Sequence, residues 1–157
     1  MNALELATNF VKAHPLGVLA TLSADGHPET AATYWAMDKT GNLYFLSPSR
    51  TRKLDNLAAH PNVSVTFVDE AGRKTLQIQG TAEAKATTVE GEYFEMIPAT
   101  IRESLITIHS SLPGAELTPA YKTGGDEHYY VKLTPSWMRL ADFTANRPDQ
   151  IYTQIIG

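Results

Sequence analysis

Three short breaks centred on aspartate and glycine cut the first half of the chain into runs that suit hairpin strands and little else. The breaks are Ser23-Ala24-Asp25-Gly26-His27, Asp38-Lys39-Thr40-Gly41-Asn42 and Asp69-Glu70-Ala71-Gly72-Arg73. Around them the runs 16–22, 28–37, 42–47, 62–68 and 75–84 are rich in β-branched and aromatic residues, which favour a pleated, half-buried surface. Alternation is clearest where Val63, Val65 and Phe67 share one face, as do Leu76, Ile78, Gly80 and Ala82. The opposite face carries Thr75, Gln77, Gln79 and Thr81, and a solvated polar face is its first explanation. A sixth strand is expected over 128–143, interrupted at Pro135.

Helical spacing punctuates this sheet. Ala3, Leu6, Ala7 and Phe10 follow an amphipathic period that His14-Pro15 ends. Leu54, Leu57 and Ala58 predict a short helix closing near His60-Pro61. Thr87-x-x-Glu90 and Thr100-x-x-Glu103 read as capping boxes, opening helices with Val89, Tyr93 and Ile97, then Ile101, Leu105 and Ile108, parted by Pro98. The stretch 110–127 reads as a loop and a candidate flap or interface segment. The expected fold is α+β, a six-stranded antiparallel split β-barrel with flanking helices, and residues 1–157 form one domain.

Several function classes lose support at once. Without a cysteine, thiol nucleophiles, disulfide scaffolds and cysteine-ligated metals are out, and a reducing compartment fits. A net charge of −4 gives no global footprint for nucleic acid. No apolar run approaches the roughly 20 residues of a spanning helix, so a cytoplasmic protein off the membrane is expected. Dinucleotide, P-loop and hydrolase motifs do not occur. His14, His27, His60, His109 and His128 lack partners at ligand spacing, so no metal site is expected. The carboxylate pairs Asp69-Glu70 and Asp126-Glu127 fall in loops, where solvation explains them.

One segment asks for more. Ser47-Pro48-Ser49-Arg50-Thr51-Arg52-Lys53 leaves a strand and opens the short helix. Cations at a helix N-terminus oppose its dipole at about 0.3–1 kcal/mol each, unless an anion or surface acids offset them. Helix N–H groups, the Ser47 and Thr51 hydroxyls, and Arg52 and Lys53 are the ingredients of a phosphate cradle. Thr33-Tyr34-Trp35 lies on the preceding strand, where aromatics serve as core or as lining near the same edge.

From 16 to 84 the chain resembles the flavin-binding split-barrel superfamily of pyridoxamine 5′-phosphate oxidase-like proteins, in its general-stress-protein branch. The resemblance rests on Ala20-Thr21-Leu22 followed by Asp25-Gly26-x-Pro28, the hairpin from Asp38 to Ser47, and Ser47-x-x-x-Thr51-Arg52-Lys53-x-x-x-Leu57-x-x-x-Pro61-x-Val63. It implies FMN, with the phosphate held by Ser47, Thr51, Arg52 and Lys53 and the ring and ribityl chain laid along the backbone of Ala31, Ala32, Thr33 and Trp35. Leu46 and Gln77 complete the candidate cofactor contacts. It also implies a homodimer with flavin at the subunit interface and a small-molecule substrate or electron donor. Where the true oxidase carries an Arg and a Lys on the second strand, this chain has Thr30 and Trp35. It also lacks an Arg-x-His after Trp137. Oxidation of pyridoxamine phosphate is therefore not implied, and no catalytic side chain is assigned. Trp137 to Phe143 looks like the closing strand of the stress-protein branch. The expected function is a flavin-dependent oxidoreductase; the alternative is a non-catalytic flavin-binding or stress-response protein, or a deazaflavin- or haem-binding relative.

Overall fold

The structure, a computed structural model, describes residues 1–48, 51–87, 99–111 and 128–157. Helix α1 (Ala3–Ala13) begins in a reciprocal cap. The Glu5 amide donates to Asn2 Oδ1 and the Asn2 amide donates to Glu5 Oε2, each at 2.8 Å. Its inner face buries Ala7 and Val11.

Strand β1 (Leu16–Leu22) runs antiparallel to β2 (Pro28–Tyr34) on one side and to β5 (Asn62–Val68) on the other. The expected second strand is broken at Trp35, whose amide donates to the Pro15 carbonyl at 2.9 Å. The chain resumes as β3 (Ala36–Met37), paired with β4 (Leu43–Pro48). After helix α2 (Arg52–Ala59) come β5, β6 (Lys74–Thr87), helix α3 (Ala99–Ser111), β7 (His128–Asp142) and β8 (Tyr152–Ile156). These eight strands form one sheet in the order β2-β1-β5-β6-β7-β4-β3, with β8 paired to β7. Its edge strands β2 and β3 are consecutive in the chain, so the sheet curls back on itself as an antiparallel barrel. The expected class holds, while the count rises from six to eight through the break at Trp35 and the added β8.

Turn chemistry explains the hairpins. The Asp38 carboxylate accepts from the amides of Thr40 and Asn42, each at 2.9 Å, and from the Tyr44 hydroxyl at 3.1 Å. Asp69 does the same for the amides of Arg73 and Lys74. Gly41 and Gly72 supply the positive φ, 91° and 65°, that these turns need.

The barrel interior holds Leu19, Trp35, Leu43, Phe45, Val65, Phe67, Leu76, Ile78, Val131, Leu133 and Met138. Trp35 packs edge-on to Phe45 with ring centres 4.5 Å apart. Strand β4 is buried on both faces: Leu43 and Phe45 point inward, whereas Tyr44 and Leu46 join Ala36, Tyr130, Ile101 and Leu105 beneath α3. That double burial explains why its sequence is a continuous apolar run.

Other expectations meet limits or corrections. Strand β7 continues through Pro135, because a bulge beside Gly80 lets the missing N–H go unpaired. Helix α3 starts at Ala99, so Thr100 lies inside it and its carbonyl accepts from the Ser104 hydroxyl at 2.8 Å. Thr87 closes β6, and the expected helix bearing Val89, Tyr93 and Ile97 falls outside the described residues. The expected loop over 110–127 is helical to Ser111, and 112–127 also falls outside.

Candidate functional site

The turn from β4 into α2 gathers the hydroxyls and cations that the sequence singles out. Ser47 is fully buried, and its Oγ lies 3.1 Å from Thr51 Oγ1. Thr51 is the N-cap residue of α2, in extended conformation, yet its side chain makes no cap bond to the helix. The amides of Leu54 and Asp55 bond the Thr51 carbonyl. Those of Arg52 and Lys53 have no partner among the described residues and form the donor-rich first turn.

The two cations differ. Arg52 Nη2 makes an ion pair with Glu29 Oε1, so a surface acid already offsets the charge that the sequence leaves unmatched. Lys53 makes no ion pair among the described residues, and partial burial holds its ammonium below the ordinary lysine value of 10.5. Arg50 lies outside the described residues.

Glu29 comes from β2, 23 residues before Arg52, and no sequence signal marks it. Its side chain is 22% exposed. Glu29 Oε2 accepts from Asn56 Nδ2 at 2.9 Å, and the same amide donates to Thr21 Oγ1 at 2.9 Å. Thr21 and Asn56 are both buried, and Thr21 sits opposite Glu29 in the β1–β2 register. A polar network of four residues thus ties the cradle to the barrel wall.

The remaining candidates spread out. Ala31 and Thr33 lie on the inner face of β2 and Ala32 on its exposed outer face. Trp35 is 1% exposed and belongs to the core; among the described residues neither its Nε1 nor the buried Thr33 Oγ1 has a partner. Leu46 is buried beneath α3, next to Ser47. Gln77 accepts from Arg139 Nη2 at 3.1 Å, and that guanidinium stacks over the rings of Trp137 and Tyr152. Arg139 is therefore structurally engaged. Gln77 aligns with Arg139 and Ser47 with Tyr129, so ten positions of β7 separate Gln77 from the cradle within one chain.

A groove of about 510 Å³ between α1, β3 and α3 is lined by Thr8, Lys12, Trp35, Met37, Glu103 and Thr107 among others. It shares no residue with the cradle. Among the described residues no cluster of three metal-ligating side chains occurs, and no helix is long and apolar enough to cross a membrane.

Chemically, the cradle suits a compact oxyanion. It presents the Thr51 hydroxyl with buried Ser47 behind it, first-turn amides, an oriented guanidinium and a half-buried ammonium. Comparison with known proteins bears on the family and the fold. The family model for pyridoxamine 5′-phosphate oxidase matches residues 4–139. A pyridoxine/pyridoxamine 5′-phosphate oxidase of Chromobacterium violaceum is 26% identical over 148 residues, 88% of this chain and 70% of that protein. One of Porphyromonas gingivalis is 23% identical, and the match spans 84% of this chain and only 58% of that protein. Among solved structures, General Stress Protein 26 from Bacillus anthracis superposes with a TM-score of 0.63 at 16% identity, covering 98% of this chain and 99% of that one. A pyridoxamine 5′-phosphate oxidase-related, FMN-binding protein of Nostoc punctiforme gives 0.64 at 13%, covering 96% and 93%. A heme binding protein from Mycobacterium smegmatis gives 0.67 at 18%, covering 98% and 57%. These structures share the fold.

Proposed function

Because the chain belongs to the pyridoxamine 5′-phosphate oxidase family, we propose that it is an FMN-binding flavoprotein working as a flavin-dependent oxidoreductase on a small molecule. Lys53 carries this reading: a half-buried ammonium without a counter-charge among the described residues, beside a hydroxyl pair and the uncapped first turn of α2. A phosphate monoester supplies acceptors for the Lys53 ammonium and for the amides of Arg52 and Lys53, which have none among the described residues. Ser47, Thr51, Arg52 and Lys53 hold it, and the backbone of Ala31, Ala32, Thr33 and Trp35, with Leu46, borders the rest of the cofactor. FMN, when bound, supplies the redox chemistry, and the chain binds it, orients it and excludes water.

The distance from the cradle to Gln77 within one chain favours Gln77 serving a flavin on the partner subunit, in a homodimer. Thr30 and Trp35, in place of the oxidase's Arg and Lys, argue for a substrate other than pyridoxamine phosphate. The full-length match to General Stress Protein 26 supports placing the chain in the general-stress-protein branch, and the absence of cysteine supports the cytoplasm. A second reading, a non-catalytic flavin, deazaflavin or haem carrier, draws on the heme binding protein of the same fold.

The test is the absorbance spectrum of protein incubated with FMN and freed of excess. About one flavin per chain should remain, displaceable by phosphate, and Lys53→Ala should weaken FMN at least tenfold, roughly 1.4 kcal/mol, while leaving riboflavin affinity unchanged. Colourless protein, or equal losses for FMN and riboflavin, would sink the assignment. Reduction of the bound flavin by a nicotinamide donor with turnover separates enzyme from carrier.

A further inference from the structure

We propose that Glu29 is a positioning residue that sets the Arg52 guanidinium for phosphate before any ligand arrives. The inference rests on the reading of the β4–α2 turn as a phosphate cradle. Arg52 and Asn56 are four residues apart on α2 and so share one helix face. Glu29 bridges them, with Oε1 toward Arg52 Nη2 and Oε2 toward Asn56 Nδ2.

The two ends of this bridge have different characters. Asn56 is 6% exposed and bonded to buried Thr21, so that end is fixed to β1. The Arg52 side chain is 83% exposed, and an ion pair with so exposed a partner adds little to stability. What the pair does supply is order. A long cation held by one carboxylate loses fewer conformations when a ligand binds, which is the general gain from preorganisation. Only Nη2 bonds Glu29. A guanidinium carries five N–H donors, so the carboxylate and a phosphate can be bonded together. Glu29 acts with the ligand and not against it.

The test is a double-mutant cycle read with two probes, FMN and riboflavin, which differ by the phosphate. Glu29→Ala should weaken FMN about tenfold, leave riboflavin unchanged, and add nothing to the loss in Arg52→Ala. Should Glu29→Ala not fold, Glu29→Gln keeps the shape but leaves one oxygen for two donors, and the same pattern with a smaller fold-change is expected. Unchanged or tighter FMN binding, an equal loss of riboflavin, or a loss additive with Arg52→Ala would overturn the positioning role. If Arg52→Ala weakens FMN and the Glu29 variants do not, that role alone fails. If the unaltered protein retains no FMN, or both Arg52→Ala and Lys53→Ala leave its affinity unchanged, the phosphate reading fails and the role of Glu29 with it.

Discussion

Lys53 stays charged only against the cost of its partial burial. Its pKa in the folded chain lies below the ordinary 10.5, so the protonated form is the disfavoured one. That cost to stability is fully present at pH below the folded pKa and fades as pH rises toward 10.5. An anion in the cradle reverses the preference and draws the pKa back up. FMN affinity should therefore begin to fall as pH rises past the free protein's Lys53 pKa, which lies below 10.5, with riboflavin affinity free of that step. Lys53→Arg should carry the plateau to higher pH, since a guanidinium does not titrate there. Dissociation constants across the alkaline range check this; coincident pH curves for the two ligands would refute it. At this scale Ser47, Thr51, Arg52 and Lys53 were legible because they fall within seven consecutive residues and are chemically odd at a helix start. Glu29 was not, because its partners Arg52 and Asn56 come from a helix 23 and 27 residues away.

At the crossing of β6 and β7, close approach matters more than side-chain chemistry. Gly80 lies against Pro135, and a Cβ there would stand 2.2 Å from the Thr134 carbonyl oxygen and 2.9 Å from Pro135 Cα. Both obstacles are backbone, so neither can swing aside. Gly80→Ala should lower stability by about 1–3 kcal/mol, visible as a lower denaturant midpoint at unchanged m-value. A midpoint equal to that of the unaltered protein would show that the bulge relaxes freely. Period-two alternation had placed Gly80 correctly on the core face with Leu76, Ile78 and Ala82. It could not reveal the bulge, which depends on which residue of another strand stands opposite. The break at Trp35 is of the same kind, since the bond from its amide goes to Pro15. Strand β8 follows a proline-containing 3-10 turn at Pro148–Gln150, and its sequence Tyr152-Thr153-Gln154-Ile155-Ile156 has no apolar–polar alternation to announce it.

At the scale of the whole molecule, the outer face of β1 exposes individual apolar side chains. Leu16 and Val18 are each 47% exposed on β1, and Val18 stands beside exposed Ala32 of β2. The proposed homodimer would give these exposed side chains an occupant. Sedimentation should find a dimer, and Val18→Lys should shift it toward monomer with loss of flavin retention. A monomer that keeps its flavin would remove the two-chain site. The sequence by itself determined the strand class, the hairpin turns and the placing of hydroxyls and cations at the start of α2, because alternation, aspartate–glycine turns and helix starts are properties of neighbouring residues. Only the tertiary structure decided that Arg52 is already paired, that Trp35 is core and that Gln77 lies away from the cradle. Each of these depends on which distant residues the curled sheet sets side by side, and no local spacing encodes that.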